Sequence, residues 1–66
     1  MITIEKNQWE FIGIEKGNYN GVPVVDIRVW RRSRKSPEGF RTRKGLTIQQ
    51  TLLKPFLEAC QRLEMG

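Results

Sequence analysis

The chain has no histidine and a single cysteine, Cys60. Without imidazole, proton transfer near neutral pH would need two carboxylates held close in contrasting environments. The seven acids, Glu5, Glu10, Glu15, Asp26, Glu38, Glu58 and Glu64, are scattered with no such spacing. One thiol with no histidine to activate it makes no nucleophile, and the same pair of absences leaves no zinc ligand set. Neither a phosphate-cradling glycine loop nor a dinucleotide fingerprint is present. The expectation is therefore a protein that is not an enzyme and carries no cofactor or metal. A lone cysteine closes no intrachain disulfide, and no apolar run approaches the ~18 residues of a membrane span. Residues 1–7 carry no signal-peptide pattern. These absences predict an intracellular chain with no membrane partner, and Cys60 as a small core residue in a reducing compartment.

Sixty-six residues form one domain, 1–66. A chain of that size buries only about 60% of its unfolded surface, so its core is marginal alone. With disulfides and metals excluded, self-association is the remaining aid.

What the chain has is concentrated basic charge. Eight of its twelve Lys/Arg residues lie within residues 28–44, beside one acid, Glu38. That window carries +7, and the rest of the chain −2. Trp30 and Phe40 are interleaved with Arg28, Arg31, Arg32, Arg34, Lys35, Arg41, Arg43 and Lys44. Cations for phosphates beside aromatic faces for unstacked bases are what single-stranded nucleic-acid binding requires.

Residues 8–15 read as a strand, with Ile12 and Ile14 on one side and Trp9, Phe11 and Gly13 on the other. Residues 16–21 read as a turn rich in Gly and Asn. Residues 22–32 alternate cleanly: Val25, Ile27 and Val29 share a core face, and Asp26, Arg28, Trp30 and Arg32 share the opposite one. A polar loop over 33–39 follows. Residues 40–44 and 46–48 then read as two short strands pivoting about Gly45, with Leu46 and Ile48 inward and Thr47 outward. From about Thr51 the period becomes helical, and Leu52, Leu53, Phe56, Leu57, Cys60 and Leu63 fall in an arc of about 140°. Pro55 requires that this helix begin only a few residues earlier or kink. The predicted fold is α+β, ββββα: a curled four-stranded antiparallel sheet with one C-terminal helix across its apolar face. Surplus apolar helix surface toward Leu53 and Leu57 would pack on a second copy's helix.

On this reading the face away from the helix carries Trp9, Phe11 and Trp30 among Arg28 and Arg32 and resembles a stacking platform, while a second reading has Trp9 and Phe11 filling a dimer interface or a secondary cluster. Tyr19 in the first turn is either exposed packing or a base contact, and Arg43-Lys44 at the sheet edge is either turn chemistry or a place for a phosphate.

With Val25-Asp26-Ile27-Arg28, Trp30, Pro37-Glu38-Gly39 and Arg43-Lys44-Gly45-Leu46-Thr47-Ile48 in this order, the chain resembles the C-terminal domain of the transcriptional coactivator positive cofactor four, in its bacterial and phage-like forms. The resemblance runs from about Trp9 to Leu63. It implies a homodimer built partly through the helices, with a single-stranded DNA-binding surface of little sequence preference. It would place stacking and phosphate contacts on Tyr19, Arg28, Trp30, Arg41, Arg43 and Lys44. The chain departs from that pattern in a longer, more basic loop after Trp30, a shorter stretch from Gly39 to Gly45, and Pro55.

The function expected is sequence-independent single-stranded DNA binding by a homodimer, in transcription, replication, recombination or repair and alongside proteins of those processes. Two other readings stand beside it. One is an RNA-binding or RNA-chaperone domain, and the other a dimeric module docking an acidic protein partner.

Overall fold

The computed structural model describes all 66 residues, which form four antiparallel strands in one curled, open sheet followed by a single C-terminal helix. The strands are β1 (Ile2–Asn7), β2 (Glu10–Tyr19), β3 (Val22–Arg31) and β4 (Phe40–Gln49), paired in sequence order. A 3₁₀ turn, Gln50–Leu52, leads into α1, Leu53–Met65. This is the ββββα order expected, but its strands are not the ones the sequence reading counted.

Three boundaries move. Ile2-Thr3-Ile4-Glu5 alternates at period 2 and forms edge strand β1, a segment weighed only as a leader. Gln8 and Trp9 are the turn after it, and the Asn7 side chain accepts the Trp9 N–H at 2.9 Å. The β2–β3 reversal takes only Asn20 and Gly21, with φ of 51° and 83°. Two consecutive positive φ values make the tight turn whose twist matches a hairpin, so residues 16–19 stay in the ladder. Residues 40–49 are one strand rather than two. Gly45 is a point inside it, with φ of 145°, where a methyl group would overlap the Ile27 carbonyl oxygen.

Pro55 is accommodated by the early start. It is the third residue of α1, where a backbone N–H has no intrahelical acceptor to lose.

The larger correction concerns the helix. It was expected across the apolar sheet face, yet no strand packs along it and none of its residues is buried. Leu53 faces a hollow lined by Met1, Ile2, Ile14 and Val25, and Leu53 and Phe56 are half-buried. Beyond them the apolar stripe stands in solvent, with Leu57 51% and Leu63 83% exposed. Cys60 is exposed too, not a core residue, because nothing lies beneath that stripe.

The Val25 face of the sheet is partly open: Val25 is buried, but Ile2, Ile4 and Leu46 are exposed, and only four of the 66 residues are buried. The molecule measures 38 × 36 × 17 Å, with a radius of gyration of 13.6 Å. A compact chain of this length would have a radius near 11 Å. Its 5584 Å² of accessible surface exceeds the ~4,400 Å² of a compact 7.8 kDa monomer by roughly 1,200 Å². No helix is long and apolar enough to cross a membrane.

Candidate nucleic-acid interface

Pairing of Phe11 with Trp30, Gly13 with Arg28 and Asp26 with Thr47 puts these residues on the sheet face opposite Val25. The register thus reproduces the parity expected of β3. What the side chains do on that face differs from a bare platform.

Phe11 and Trp30 stack on each other, with ring centroids 5.9 Å apart and planes inclined by 19°. Arg32 lies over the Phe11 ring, its guanidinium carbon 4.4 Å from the centroid. The Phe11 ring is therefore enclosed, at 3% exposure, and has no open face for a base. It supports Trp30 instead of joining it as a stacking surface. The pyrrole edge of Trp30 sits over Gly13, where a side chain would collide with it. Replacing Trp30 with alanine removes this stack, and stability falls by about 3 kcal/mol, the low end of the range for a large aromatic. Denaturant titration at fixed protein concentration reads the loss, and a midpoint unchanged from wild type would contradict the packing role.

The arginines of the face are spent internally to different degrees. Arg32 makes two parallel hydrogen bonds to the Glu5 carboxylate, at 2.9 and 3.0 Å. Hydrogen bonding from Arg32 holds the Glu5 carboxyl below its ordinary value and raises the Arg32 guanidinium in turn. Asp26 is 7% exposed and accepts from Arg28 Nε at 3.1 Å, Arg41 at 3.2 Å and the Thr47 hydroxyl at 2.9 Å. Burial pushes the Asp26 carboxyl up, but bonds from Arg28, Arg41 and Thr47, with the Arg28 charge, outweigh it and leave the group lowered. A lowered carboxyl stabilises the fold above its unfolded value of 3.8 and loses that contribution as pH falls through the folded value. Asp26→Asn is accordingly less stable than wild type at pH 7, and the gap closes as the pH is taken below about 3.8. Thermal unfolding across that range checks it; a gap independent of pH would show that the carboxylate charge contributes nothing.

Of the residues expected to bind, Arg28 is the most enclosed cation, its side chain 14% exposed. Arg41 is more open, at 55%, held by Asp26 alone. Trp30 is half-buried, and Tyr19 is 70% exposed beside the hairpin tip. The partners of Tyr19 and Arg41 are Val22 and Trp30, about 26 Å apart along β3. The two backbones are thus far apart, but the Arg41 side chain reaches back to Asp26, and Lys16, Tyr19, Asp26 and Arg41 line one hollow.

Arg43 and Lys44 are exposed, and their side chains make no hydrogen bond or ion pair. They ride on a bulge, since β4 has three residues between Arg41 and Gly45 where β3 has only Val29 between Arg28 and Trp30. The Thr42 hydroxyl donates to the Val29 carbonyl at 2.6 Å and accepts the Lys44 N–H at 3.2 Å. At the same end lie Trp9, 45% exposed in the β1–β2 turn, and Phe40, 46% exposed opposite Arg31. The β3–β4 loop adds Arg34 and Lys35, and is folded on itself by reciprocal Ser33 and Ser36 backbone bonds of 3.1 Å.

Free charge therefore gathers at one end of the sheet, not across its Trp30 face. Arg31, Arg34, Lys35 and Phe40 join the candidate surface, although the sequence reading named none of them as contacts. Their signal was the density of the basic run itself. No family model, curated protein or solved structure matches this chain.

Proposed function

We propose that the protein is a homodimeric, sequence-independent single-stranded DNA-binding protein of the kind its motifs resemble. One observation carries this reading. Five cations that make no close ion pair, Arg31, Arg34, Lys35, Arg43 and Lys44, lie with the exposed rings of Trp9 and Phe40 at one end of a sheet, Arg31 and Lys44 acting on Glu10 only at longer range. Cations that release counterions beside rings that accept stacked bases bind an unpaired strand without reading its sequence. Arg41 extends this surface past Trp30 toward Asp26, where Tyr19 offers a further ring lining the same hollow. Arg32 and Phe11 support the aromatic stack from behind. The work is binding, with no chemical step assigned to any side chain.

The second copy is supported by the roughly 1,200 Å² of surplus surface, which exceeds the ~800 Å² each partner gives a standard interface. The apolar stripe of α1 and the Val25 face, short of its Arg31–Phe40 end, are the surfaces left for it. Lys54, Glu58, Arg62 and Glu64 give α1 no net charge, which suits pairing with itself and leaves the basic end for a polyanion.

Tryptophan fluorescence during titration with a single-stranded DNA oligonucleotide tests the proposal. The expected result is a saturable change complete at one strand per two chains. The same titration with matched RNA separates the two nucleic acids. A signal that answers an acidic peptide and ignores both oligonucleotides would replace the proposal with a protein-docking module.

A further inference from the structure

The family resemblance would make Arg28 a phosphate contact, but its side chain is already committed. Its Nε lies 3.1 and 3.4 Å from the two Asp26 oxygens, and one terminal nitrogen reaches Asp26 at 3.0 Å and Thr47 Oγ1 at 3.1 Å. The other terminal nitrogen donates to the backbone carbonyl of Arg43 at 3.0 Å. Those hydrogen bonds engage three of the five donors a guanidinium has, and the close ion pair with Asp26 holds the fork in place. The Arg43 carbonyl is the significant acceptor. It belongs to the bulge, where the ladder is interrupted and backbone groups lose their cross-strand partners. Arg28 stands opposite Gly45, where β4 carries no side chain to block its path along the face to Arg43.

We infer that Arg28 is a positioning residue: it clamps the β4 bulge so that Arg43 and Lys44 face outward, and it does not itself bind phosphate. Asp26 fixes the guanidinium plane, Thr47 steadies it, and Thr42 closes the bulge from its other side. Arg41, with one bond to Asp26 and half its side chain in solvent, is the arm left to move. The clamp is a property of the free protein, and only its consequence for affinity rests on the nucleic-acid reading above.

The test begins without ligand. Arg28→Lys keeps the charge but cannot fork between Asp26, Thr47 and the Arg43 carbonyl. Amide hydrogen exchange at Lys44 and Gly45 is expected to quicken at least tenfold, while Ile12 and Ile14 exchange as in wild type. Unchanged rates at Lys44 and Gly45 would overturn the clamp. Should the variant not fold, the wild-type protein decides. Its Arg28 Nε–H resonance is expected to be protected from solvent and to hold its position when single-stranded DNA is added, while that of Arg43 moves. An unprotected Arg28 signal, or one that shifts as far as that of Arg43, would overturn the inference. A double-mutant cycle adds the functional arm: Arg28→Lys is expected to cost little further affinity once Arg43 and Lys44 are alanine. Full additivity would assign Arg28 a contact of its own. If no nucleic acid binds, the DNA-reading arms fall with the function, and the ligand-free exchange still decides the clamp.

Discussion

Leu57→Asp is expected to leave a chain that neither dimerises nor keeps its fold at micromolar concentration. Leu57 is half exposed in the middle of a helix stripe that no strand of its own chain covers. The surplus surface of roughly 1,200 Å² makes the single chain poorly buried for its size. Domains of this length hold only a few kcal/mol even when compact. A charge in the centre of a self-packing stripe must be desolvated without a partner, once in each copy. Sedimentation equilibrium should give twice the 7.8 kDa chain mass for wild type and a single chain for the variant. The thermal midpoint of wild type should also rise with protein concentration, as folding linked to assembly requires. A wild-type midpoint independent of concentration, with Leu57→Asp equally stable, would mean that the open helix needs no second copy.

Replacing Arg43 and Lys44 together with alanine is expected to leave the fold intact and remove most of the affinity for single-stranded DNA at low salt. Both side chains are exposed and make no hydrogen bond or close ion pair, so the free protein depends on them only through the longer-range pull of Lys44 on Glu10. Each phosphate neutralised on a single strand contributes about 0.7 to the slope of log affinity against log salt, so the slope should shallow by about 1.4. Arg32→Ala offers the contrast. Arg32 is tied to Glu5, and its loss should weaken the Phe11 stack and stability while the slope stays close to wild type. Titrations at several salt concentrations separate these outcomes. Equal slopes for the Arg43/Lys44 double variant and wild type would remove this end of the sheet from the binding surface.

The strand parity was legible because alternation on a half-buried sheet has one physical solution. Val25, Ile27 and Val29 on one face, with Asp26, Arg28 and Trp30 on the other, follow from period 2 alone. The change of period near Thr51 located the helix for the same reason. The bulge was not legible: three residues of β4 facing one of β3 is a property of the pair of strands, and Gly45 reads equally as a pivot between two strands. The position of the helix was hidden too. An apolar stripe records that something covers it, and carries no information on whether the cover is its own sheet or another copy.

The site was half visible. Charge density and aromatic spacing marked the region where the cations without a close partner lie, but sequence does not show which charges are already neutralised. Asp26 lies two residues from Arg28, and period 2 puts them on one strand face without showing that they pair. Glu5 reaches Arg32 only because β1 lies beside β2, and β1 is not among the strands expected from the sequence pattern. Three arginines of the Trp30 face are thereby paired or clamped, and the surface open to a phosphate shifts to the bulge and loop.

Fluorescence anisotropy of a labelled single strand of about 20 nucleotides, beside the same sequence as duplex and at about 50 and 200 mM salt, tests the central claim most directly. The account predicts tight binding of the single strand that the duplex does not match, weakening with salt yet persisting at the higher concentration because stacking adds to charge. Equal, weak binding of both forms, erased by salt, would reduce the surface to bare basic charge and contradict it.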